Sequence, residues 1–340
     1  MSYVFETPGT YLGKHSNMIV AKLPNGNKNE ISVNKIELVV INSKVQISHD
    51  ALVLLARNAI PVVISVFGRP LGVFNPFANH GSVLVRRAQI LAGEDTRGIY
   101  LAKTFVKGGL TNKRRLLLRY ARNRKENDPD LAGAIEQKAD EIKEQIEHVD
   151  SLKEELNNSI KFELMGYEGQ GTKAYFEAIK IIVPNGLKFG GRDRRPPSDP
   201  INSSLSYGYA ILYGRVLLGI AAAGLEPFAG FLHSDRSGKP ALALDLIEEF
   251  RQPIVDRLVF KCFNKRILTM ADFEISGGHC LFTDKGKKQF INEYFKHFNA
   301  GYKINNKEYT FQQLIIKQAR NLARYLLKKS PTYEPFQLQW

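Results

Sequence analysis

The sequence predicts an α+β protein in which a small N-terminal β-domain precedes a larger all-α domain. Short β-branched runs and turn signals fill the first 75 residues, and apolar positions at helical spacing dominate after residue 82. A chain of 340 residues that is 44% hydrophobic can bury a core in each domain. We expect a β-rich domain at 1–75, a linker at 76–84, a helical domain at 85–329 and a tail at 330–340.

Strands and turns define the first domain. Three β-branched runs predict strands, at 18–23, 35–41 and 60–67. The sequence Pro-Asn-Gly-Asn at 24–27 predicts a hairpin turn. Residues 48–58 have apolar positions at helical spacing, and Ser48 is a suitable N-cap, so this segment is expected to be a short helix.

A heptad pattern marks the helical domain. Four apolar residues recur at every seventh position, namely Ile135, Ile142, Val149 and Leu156. They predict a long amphipathic helix, either packed within the domain or paired with a second copy in a coiled coil. The tail at 330–340 has two prolines and no helical period, so we expect order there only if other residues pack on its aromatic side chains.

Charge is distributed in blocks. The chain has 48 Lys and Arg against 34 Asp and Glu, a net charge of +14 that favours nucleic acid as a partner. Residues 96–125 contain ten basic and no acidic residues, whereas residues 126–163 contain twelve acidic and four basic residues. The blocks indicate a basic surface that follows the phosphates of DNA, beside an acidic surface that avoids DNA or binds a basic partner. The alternative is a pair of helices with solvated charges. The candidate DNA contacts are Arg114, Arg115 and Arg119 in the first block, and Lys317, Arg320 and Arg324 on one face of a later helix.

Targeting and redox signals favour the cytoplasm. The chain has no apolar run of about 18 residues, the length that a membrane-spanning helix needs, and no secretory pattern in its first residues. Its two cysteines, Cys262 and Cys280, are too few for a disulfide framework and lack metal-ligand spacing. We therefore expect a cytoplasmic protein without a membrane partner.

Three stretches of the helical domain could carry chemistry. In the first, Glu168 stands among glycines at 166, 169 and 171, which would let a ligand approach closely; the alternative is a flexible helix junction with a solvated Glu. In the second, His233 ends an apolar run and begins a polar turn, where it is either a ligand or a structural residue.

The third stretch holds carboxylates on a predicted helix. Asp245 lies three residues before Glu248 and four before Glu249, so either pair can project side by side. Unpaired carboxylates are costly to bury, and a metal is one natural partner. Glu168, His233 and Glu248 together offer a donor set that suits Mg²⁺ or Mn²⁺ acting on a phosphodiester. Zinc is disfavoured because no cysteine pair accompanies them.

Four stretches resemble motifs of one known family. Residues 192–209 (RDRRPPSDPINSSLSYGY) resemble the signature of the CRISPR-associated endonuclease and integrase of the adaptation, or spacer acquisition, module, the near-universal first CRISPR-associated protein family. Residues 224–233 (GLEPFAGFLH) and 245–251 (DLIEEFR) are similar to two further motifs in the same order, and residues 167–176 (YEGQGTKAYF) resemble the first ligand motif. The resemblance extends from the β-rich start to the final helices.

The resemblance implies both a fold and a function. Members of the family join an N-terminal β-domain to a larger α-helical catalytic domain. They are metal-dependent DNA endonucleases and integrases, which insert short DNA fragments as new spacers into a CRISPR array by transesterification with a 3′-hydroxyl. Motif matching puts the ligands of Mg²⁺ or Mn²⁺ at Glu168, His233 and Glu248, with Asp245 as a supporting acid and Glu249 as a rival for the third ligand position.

The resemblance also implies partners. These are double-stranded DNA, as spacer precursor and CRISPR repeat, a second copy of the chain in a homodimer, and a small ferredoxin-like CRISPR-associated protein. The cluster of Arg192, Arg194 and Arg195 would contact phosphate beside the metal, or else form a solvated loop. The acidic stretch 126–163 and the aromatic tail are candidate contact surfaces.

Two other functions stay open at the level of sequence. A structure-specific nuclease that cuts branched DNA in repair would use the same metal site. A non-catalytic DNA-binding scaffold would use the carboxylates only in salt bridges. Metal-dependent strand transfer separates an enzyme from a scaffold, and a requirement for the small partner and an array separates an integrase from a repair nuclease.

Overall fold

The computed structural model describes residues 2–36, 38–41, 43–66, 69–76, 82–155, 158–193, 196–304 and 307–339. The predicted fold class is confirmed, because strands at the N-terminus are followed by a larger region made mainly of helices. Some positions of the sequence predictions lie outside the described residues: 37 and 67 of the predicted strands, 77–81 of the linker, Leu156, Arg194, Arg195 and 340 of the tail.

The β-rich domain consists of two four-stranded sheets and one helix. Its elements are β1 (Ser2–Phe5), β2 (Tyr11–His15), β3 (Met18–Lys22), β4 (Lys28–Ser32), β5 (Leu38–Ile41), β6 (Gln46–Ile47), α1 (His49–Arg57), β7 (Val62–Val66) and β8 (Arg69–Phe74). The strand orders are β1-β5-β7-β8 and β4-β3-β2-β6, with Leu12, Val39 and Leu55 buried in the shared core. The predicted hairpin joins β3 to β4, and the Ser48 Oγ accepts a hydrogen bond from the Ala51 amide at 3.2 Å, as expected of a cap.

The helical domain contains nine helices and two short hairpins among the residues described after position 82. These are α2 (Ser82–Gly93), α3 (Thr96–Arg122), α4 (Pro129–Ser151), α5 (Asn158–Ile182), α6 (Pro200–Ala222), α7 (Ala241–Ile247), α8 (Arg257–Asn264), β9 (Phe273–Ser276), β10 (His279–Phe282), α9 (Asp284–Asn299), β11 (Tyr302–Ile304), β12 (Lys307–Tyr309) and α10 (Phe311–Leu326). A π-helical segment, Arg251–Asp256, leads directly into α8. The hairpins are an addition to the predicted all-α architecture.

The basic and acidic blocks form the antiparallel helices α3 and α4. Ile135, Ile142 and Val149 of α4 are fully buried, so the apolar face that the heptad pattern defines packs within the domain. Ion pairs connect the two helices, including Lys107 Nζ to Asp150 Oδ1 at 2.7 Å and Arg114 Nη2 to Asp140 Oδ1 at 3.6 Å. Part of the basic charge is therefore balanced inside the fold and is not offered to a partner.

Helix α6 connects the helical domain to the β-rich domain. Leu218 packs with Leu38, Val40 and Val63 of the sheet. In the described part of the chain, α6 is the one helix that is long and apolar enough to cross a membrane, but 56% of its apolar window is buried inside the protein. Burial within a core explains this composition without a bilayer.

The tail after α10 folds back onto the helical domain. Tyr333, Phe336 and Leu338 are buried, and the Phe336 ring stacks on Phe250 with a centroid distance of 5.3 Å. The prediction that the aromatic tail is a contact surface for partners is therefore wrong for these side chains, because the chain itself covers them.

The half-buried His297 of α9 provides a test of the packing of this domain. Its Nε2 donates a hydrogen bond to the Pro253 carbonyl at 3.0 Å, and burial lowers the pKa of the ring from 6.5 to about 4. Between these two values the unfolded chain binds a proton that the folded chain excludes. The free energy of unfolding should therefore fall as the pH decreases from 6.5 to about 4, by about 3 kcal/mol over the window.

Urea unfolding between pH 4 and pH 7 measures this effect. His297→Gln retains an amide donor and should flatten the slope, whereas His279→Gln, on an exposed hairpin, should leave it unchanged. A slope in His297→Gln equal to that of the wild type would contradict the assignment.

Candidate active site

Lys113, in the middle of α3, is the residue on which the site converges. Its side chain is only 3% exposed, and its Nζ lies 3.6 Å from Glu248 Oε2 and 4.0 Å from Glu168 Oε1. Within the described residues, this ammonium has no hydrogen-bond partner, so its contacts are electrostatic. Sequence reasoning does not single out Lys113, because in the sequence it is one of ten basic residues in a block.

Glu168 is presented by a continuous helix. Helix α5 runs through the glycines, so the segment is not a flexible junction. A Cβ atom on Gly171 would overlap Leu110 Cδ2, and this glycine therefore allows α5 to approach α3 closely. Glu168 lies one turn earlier on the same face, where its Oε1 accepts a hydrogen bond from the Thr172 hydroxyl at 3.4 Å.

Asp245 holds His233 and the loop before it. Its fully buried carboxylate accepts hydrogen bonds from the Phe231, Leu232 and His233 amides at 2.6, 3.1 and 3.1 Å. Its Oδ1 lies 2.7 Å from His233 Nδ1, and this hydrogen bond raises the pKa of the imidazole. Because Nδ1 faces Asp245, Nε2 is the ring nitrogen available to a ligand. Asp245 therefore orients the His233 ring, and its role as a supporting acid stays a prediction.

Glu248 lies just after α7 and is fixed by a second cation. Its Oε1 is 3.0 Å from Arg251 Nη1, and the Arg251 guanidinium lies over the Tyr209 ring at 5.3 Å. Arg251 is the first residue of the π-helical segment, and such segments occur frequently at functional sites because they redirect side chains. The Tyr209 hydroxyl in turn donates to the buried Asp256 Oδ1 at 2.6 Å.

Glu249 points away from this site. Its carboxylate accepts hydrogen bonds from the Tyr333 hydroxyl at 2.5 Å, the Phe336 amide at 2.8 Å and the Gln318 side chain at 3.0 Å. Burial raises the pKa of Glu249 to about 7. Of the two neighbouring glutamates, Glu248 is therefore the one that the fold brings next to Glu168.

A small cavity adjoins the carboxylates. Its volume is about 150 Å³, and its lining includes the three cations Lys113, Arg192 and Arg251. Arg192 is held in place by Asn202 Oδ1 at 2.8 Å and by the Ser206 hydroxyl at 3.0 Å. The cavity has the size and charge to accept a phosphate group.

The chemistry of the three predicted ligands suits a divalent cation, but among the described residues the fold does not bring all three to one point. No group of three or more His, Cys, Asp and Glu side chains stands within ligand distance of one point in the described ranges. Two carboxylates nevertheless already converge on one positive charge, that of Lys113. With the His233 Nε2 they provide the oxygen-rich donor set that Mg²⁺ and Mn²⁺ prefer.

The six predicted DNA contacts on α3 and α10 lie in three different places. Arg114 pairs with Asp140, and Arg115 Nη1 donates to the Leu338 carbonyl at 2.5 Å, so both have partners in the chain. Arg119 lines a groove with Arg257. The remaining three, Lys317, Arg320 and Arg324, are exposed on α10, the first two beside a groove of about 860 Å³ against β1.

Carboxylates and an imidazole beside three cations define a site for chemistry on phosphate esters. The model of the family described as "CRISPR associated protein Cas1" matches residues 3–296. The chain therefore belongs to the Cas1 family, which confirms the resemblance read from the motifs.

Relatives and solved structures agree with this membership. The chain is 31% identical over 348 residues to "CRISPR-associated endonuclease Cas1 1" of Archaeoglobus fulgidus, with 100% of each chain covered. It is 37% identical over 260 residues to a protein of the same name from Thermus thermophilus, covering 76% of this chain and 74% of the relative.

Two solved structures share the fold. A CAS1 protein from Thermotoga maritima matches with a TM-score of 0.70 and 22% identity over 100% of both chains. A casposase bound to integration product matches with a TM-score of 0.73 and 22% identity over 98% of this chain and 97% of the casposase.

Asp245→Asn should destabilise the protein because the amide cannot satisfy all the donors that now meet a carboxylate. We expect the free energy of unfolding to fall by about 2–3 kcal/mol, measured by urea unfolding at neutral pH. Asp235→Asn is the matched control: Asp235 lies in the same loop, is exposed, and accepts one hydrogen bond, from the Gly230 amide at 3.0 Å. Equal losses in the two variants would argue against a special role for Asp245.

Proposed function

We propose that this chain is a metal-dependent DNA endonuclease and integrase that inserts short DNA fragments as new spacers into a CRISPR array. The observation that carries the proposal is the convergence of Glu168 and Glu248 on Lys113, beside a His233 ring that Asp245 orients. Family membership and the names of the curated relatives, which are called CRISPR-associated endonucleases, support it.

The three ligands would hold Mg²⁺ or Mn²⁺. Such an ion supplies Lewis acidity at the scissile phosphodiester and offsets the charge that develops there. Asp245 keeps the His233 ring in one tautomer with Nε2 exposed to the ion, and Arg251 holds the Glu248 carboxylate in place. These contacts pre-organise the ligands before DNA arrives.

The reaction is transesterification by a 3′-hydroxyl of the incoming DNA, or hydrolysis when water is the nucleophile. The cavity lined by Lys113, Arg192 and Arg251 receives phosphate oxygens and stabilises the additional negative charge of the transition state. A tyrosine nucleophile is unnecessary: the Tyr209 hydroxyl is bound to Asp256, and burial holds its pKa well above its usual value.

We also propose that the protein acts as a cytoplasmic homodimer. The outer surface of β7, β8 and α2 exposes large apolar side chains, on both sides of the strand pair, which water disfavours: Ile64, Leu71, Val73, Phe74, Val83, Leu84, Ile90 and Leu91. A second copy of the chain would cover this surface, which we call the β7–β8–α2 face. Double-stranded DNA, as spacer precursor and CRISPR repeat, would then meet a symmetric pair of sites.

Two such dimers would flank a dimer of a small ferredoxin-like CRISPR-associated protein. A solved structure titled "Partial Cas6-RT-Cas1--Cas2 complex" shares the fold of this chain, with a TM-score of 0.77 and 21% identity over 100% of this chain and 99% of that one. The acidic stretch 126–163 remains a candidate surface for the partner, since the outward side of α4 is exposed.

Leu71→Glu tests the homodimer. Leu71 is 66% exposed on β8, and a charge there should shift the protein from dimer to monomer, as measured by sedimentation velocity. Leu281→Glu is the matched control, because Leu281 is 59% exposed on a different hairpin. A dimer that persists in Leu71→Glu would exclude this face as the interface.

Strand transfer of a short 3′-hydroxyl duplex into a supercoiled CRISPR plasmid tests the function. Glu168→Gln, His233→Ala and Glu248→Gln should each lower the rate at least about 100-fold in Mn²⁺, while DNA affinity is retained. Glu163→Gln, exposed on the same helix as Glu168, should behave as the wild type.

The same assay separates the rival functions. Wild-type protein that cuts branched DNA but inserts nothing, even with the small partner added, would favour a repair nuclease. DNA binding without any metal-dependent cleavage or transfer would favour a scaffold.

A further inference from the structure

The tail beyond α10 packs against residues that neighbour the active site in the chain. Order in residues 330–340 depends on packing of their aromatic side chains, and Tyr333, Phe336 and Leu338 are buried in the helical domain. They make four hydrogen bonds to Asn112 and Glu249, which are distant from the tail in sequence, and others to Tyr100 and Arg115.

Glu249 is held by the tail at both of its oxygens. The Tyr333 hydroxyl donates to Oε1 at 2.5 Å, and the Phe336 amide donates to Oε2 at 2.8 Å. Gln318 of α10 donates to Oε2 at 3.0 Å and, through the same amide, to the Glu334 carbonyl at 2.8 Å.

Asn112 ties the tail to α3. Its Nδ2 donates to the Phe336 carbonyl at 2.8 Å and to the Glu249 carbonyl at 2.9 Å, and its Oδ1 accepts from the Leu338 amide at 2.8 Å. Pro335 fits against Gly108, where a Cβ would lie 2.7 Å from the proline ring. The tail therefore packs both on α3 and on the residues that follow α7.

These anchors are the chain neighbours of site residues. Asn112 precedes Lys113, and Glu249 follows Glu248, so the hydrogen bonds fix the backbone from which the ammonium and the carboxylate project. A buried hydrogen-bonded network of this kind allows one arrangement, whereas apolar packing at position 249 would tolerate several. A hydrogen-bonded glutamate at position 249 therefore fixes the neighbouring backbone more precisely than an apolar residue would, although a glutamate costs more free energy to bury.

We propose that the C-terminal tail is a positioning element of the active site: Tyr333, through Glu249, and Asn112 fix the Glu248 carboxylate and the Lys113 ammonium relative to each other, and so set the affinity of the site for a divalent cation. The inference rests on the proposed metal-dependent function and adds residues that position its metal ligands. Tyr333 and Asn112 touch neither substrate nor metal and act through their neighbours.

Tyr333→Phe is the test, because it removes one hydroxyl and keeps the buried ring. We expect the Kd for Mn²⁺, measured by electron paramagnetic resonance on the full chain without DNA, to rise by a factor of about three to ten, at or below the roughly 10–100-fold typical when a direct partner of a ligand is lost, because Tyr333 bonds the neighbour of a ligand. Strand transfer should need correspondingly more Mn²⁺ for half-maximal rate, and excess Mn²⁺ should restore the maximal rate.

Tyr294→Phe is the matched control. Tyr294 is fully buried, and its hydroxyl has no hydrogen-bond partner in the described part of the chain, so this variant removes a core hydroxyl without touching the tail. It should bind Mn²⁺ as the wild type does. Glu249→Gln should weaken Mn²⁺ binding as Tyr333→Phe does, and the double variant should be no weaker than the weaker single variant, because both act through one network.

Three outcomes would test the positioning role of the tail and the proposed function separately. Wild-type Mn²⁺ affinity in Tyr333→Phe and Glu249→Gln would overturn the positioning role. Wild-type protein that binds Mn²⁺ but transfers no strand would overturn the proposed function, and the role of the tail would still be decided by the Mn²⁺ titration. A chain that binds no Mn²⁺ at all would overturn both.

Discussion

The structure depends on the contact of one buried ammonium with two carboxylates from separate elements. Lys113 would be costly to bury alone, and Glu168 and Glu248 would repel each other without a positive charge nearby. The three charges are therefore tolerated only together, and helices α3, α5 and the end of α7 must pack at one fixed distance to keep them so. Gly171 on α5 serves this packing, since any side chain there would collide with Leu110.

Around this contact, several charged groups are held by neighbouring polar groups. Asp245 holds His233, Arg251 holds Glu248, and Asn202 holds Arg192. These contacts measure 2.7, 3.0 and 2.8 Å and are partly buried, which restricts the side chains that they hold. An active site with mobile ligands would have to order them when DNA binds, and this order is instead established when the chain folds.

Local signals in the sequence predict the elements but not their meeting points. The cap at Ser48, the hairpin after β3 and the buried face of α4 follow from side-chain chemistry within a few residues. The proximity of Glu168 and Glu248 depends on how α5 and α7 pack, and only the resemblance to a family indicated it. Lys113 is one of ten basic residues in its block, and nothing in the sequence distinguishes it from the others. Helical spacing does not distinguish Glu249 from Glu248. The burial of Tyr333 depends on residues that are far away in the chain.

Because the tail packs back onto α3, the site can reach its final geometry only late in folding. All the residues beside the cavity are present once position 252 has been made, yet Phe336 must reach back to Asn112 across a sequence separation of 224 residues. Contacts between such distant segments form late, because a long loop must be closed first. A chain still emerging from the ribosome would thus carry its ligands and cations without their final spacing, and a DNA-cutting centre would be assembled only after most of the polypeptide is complete.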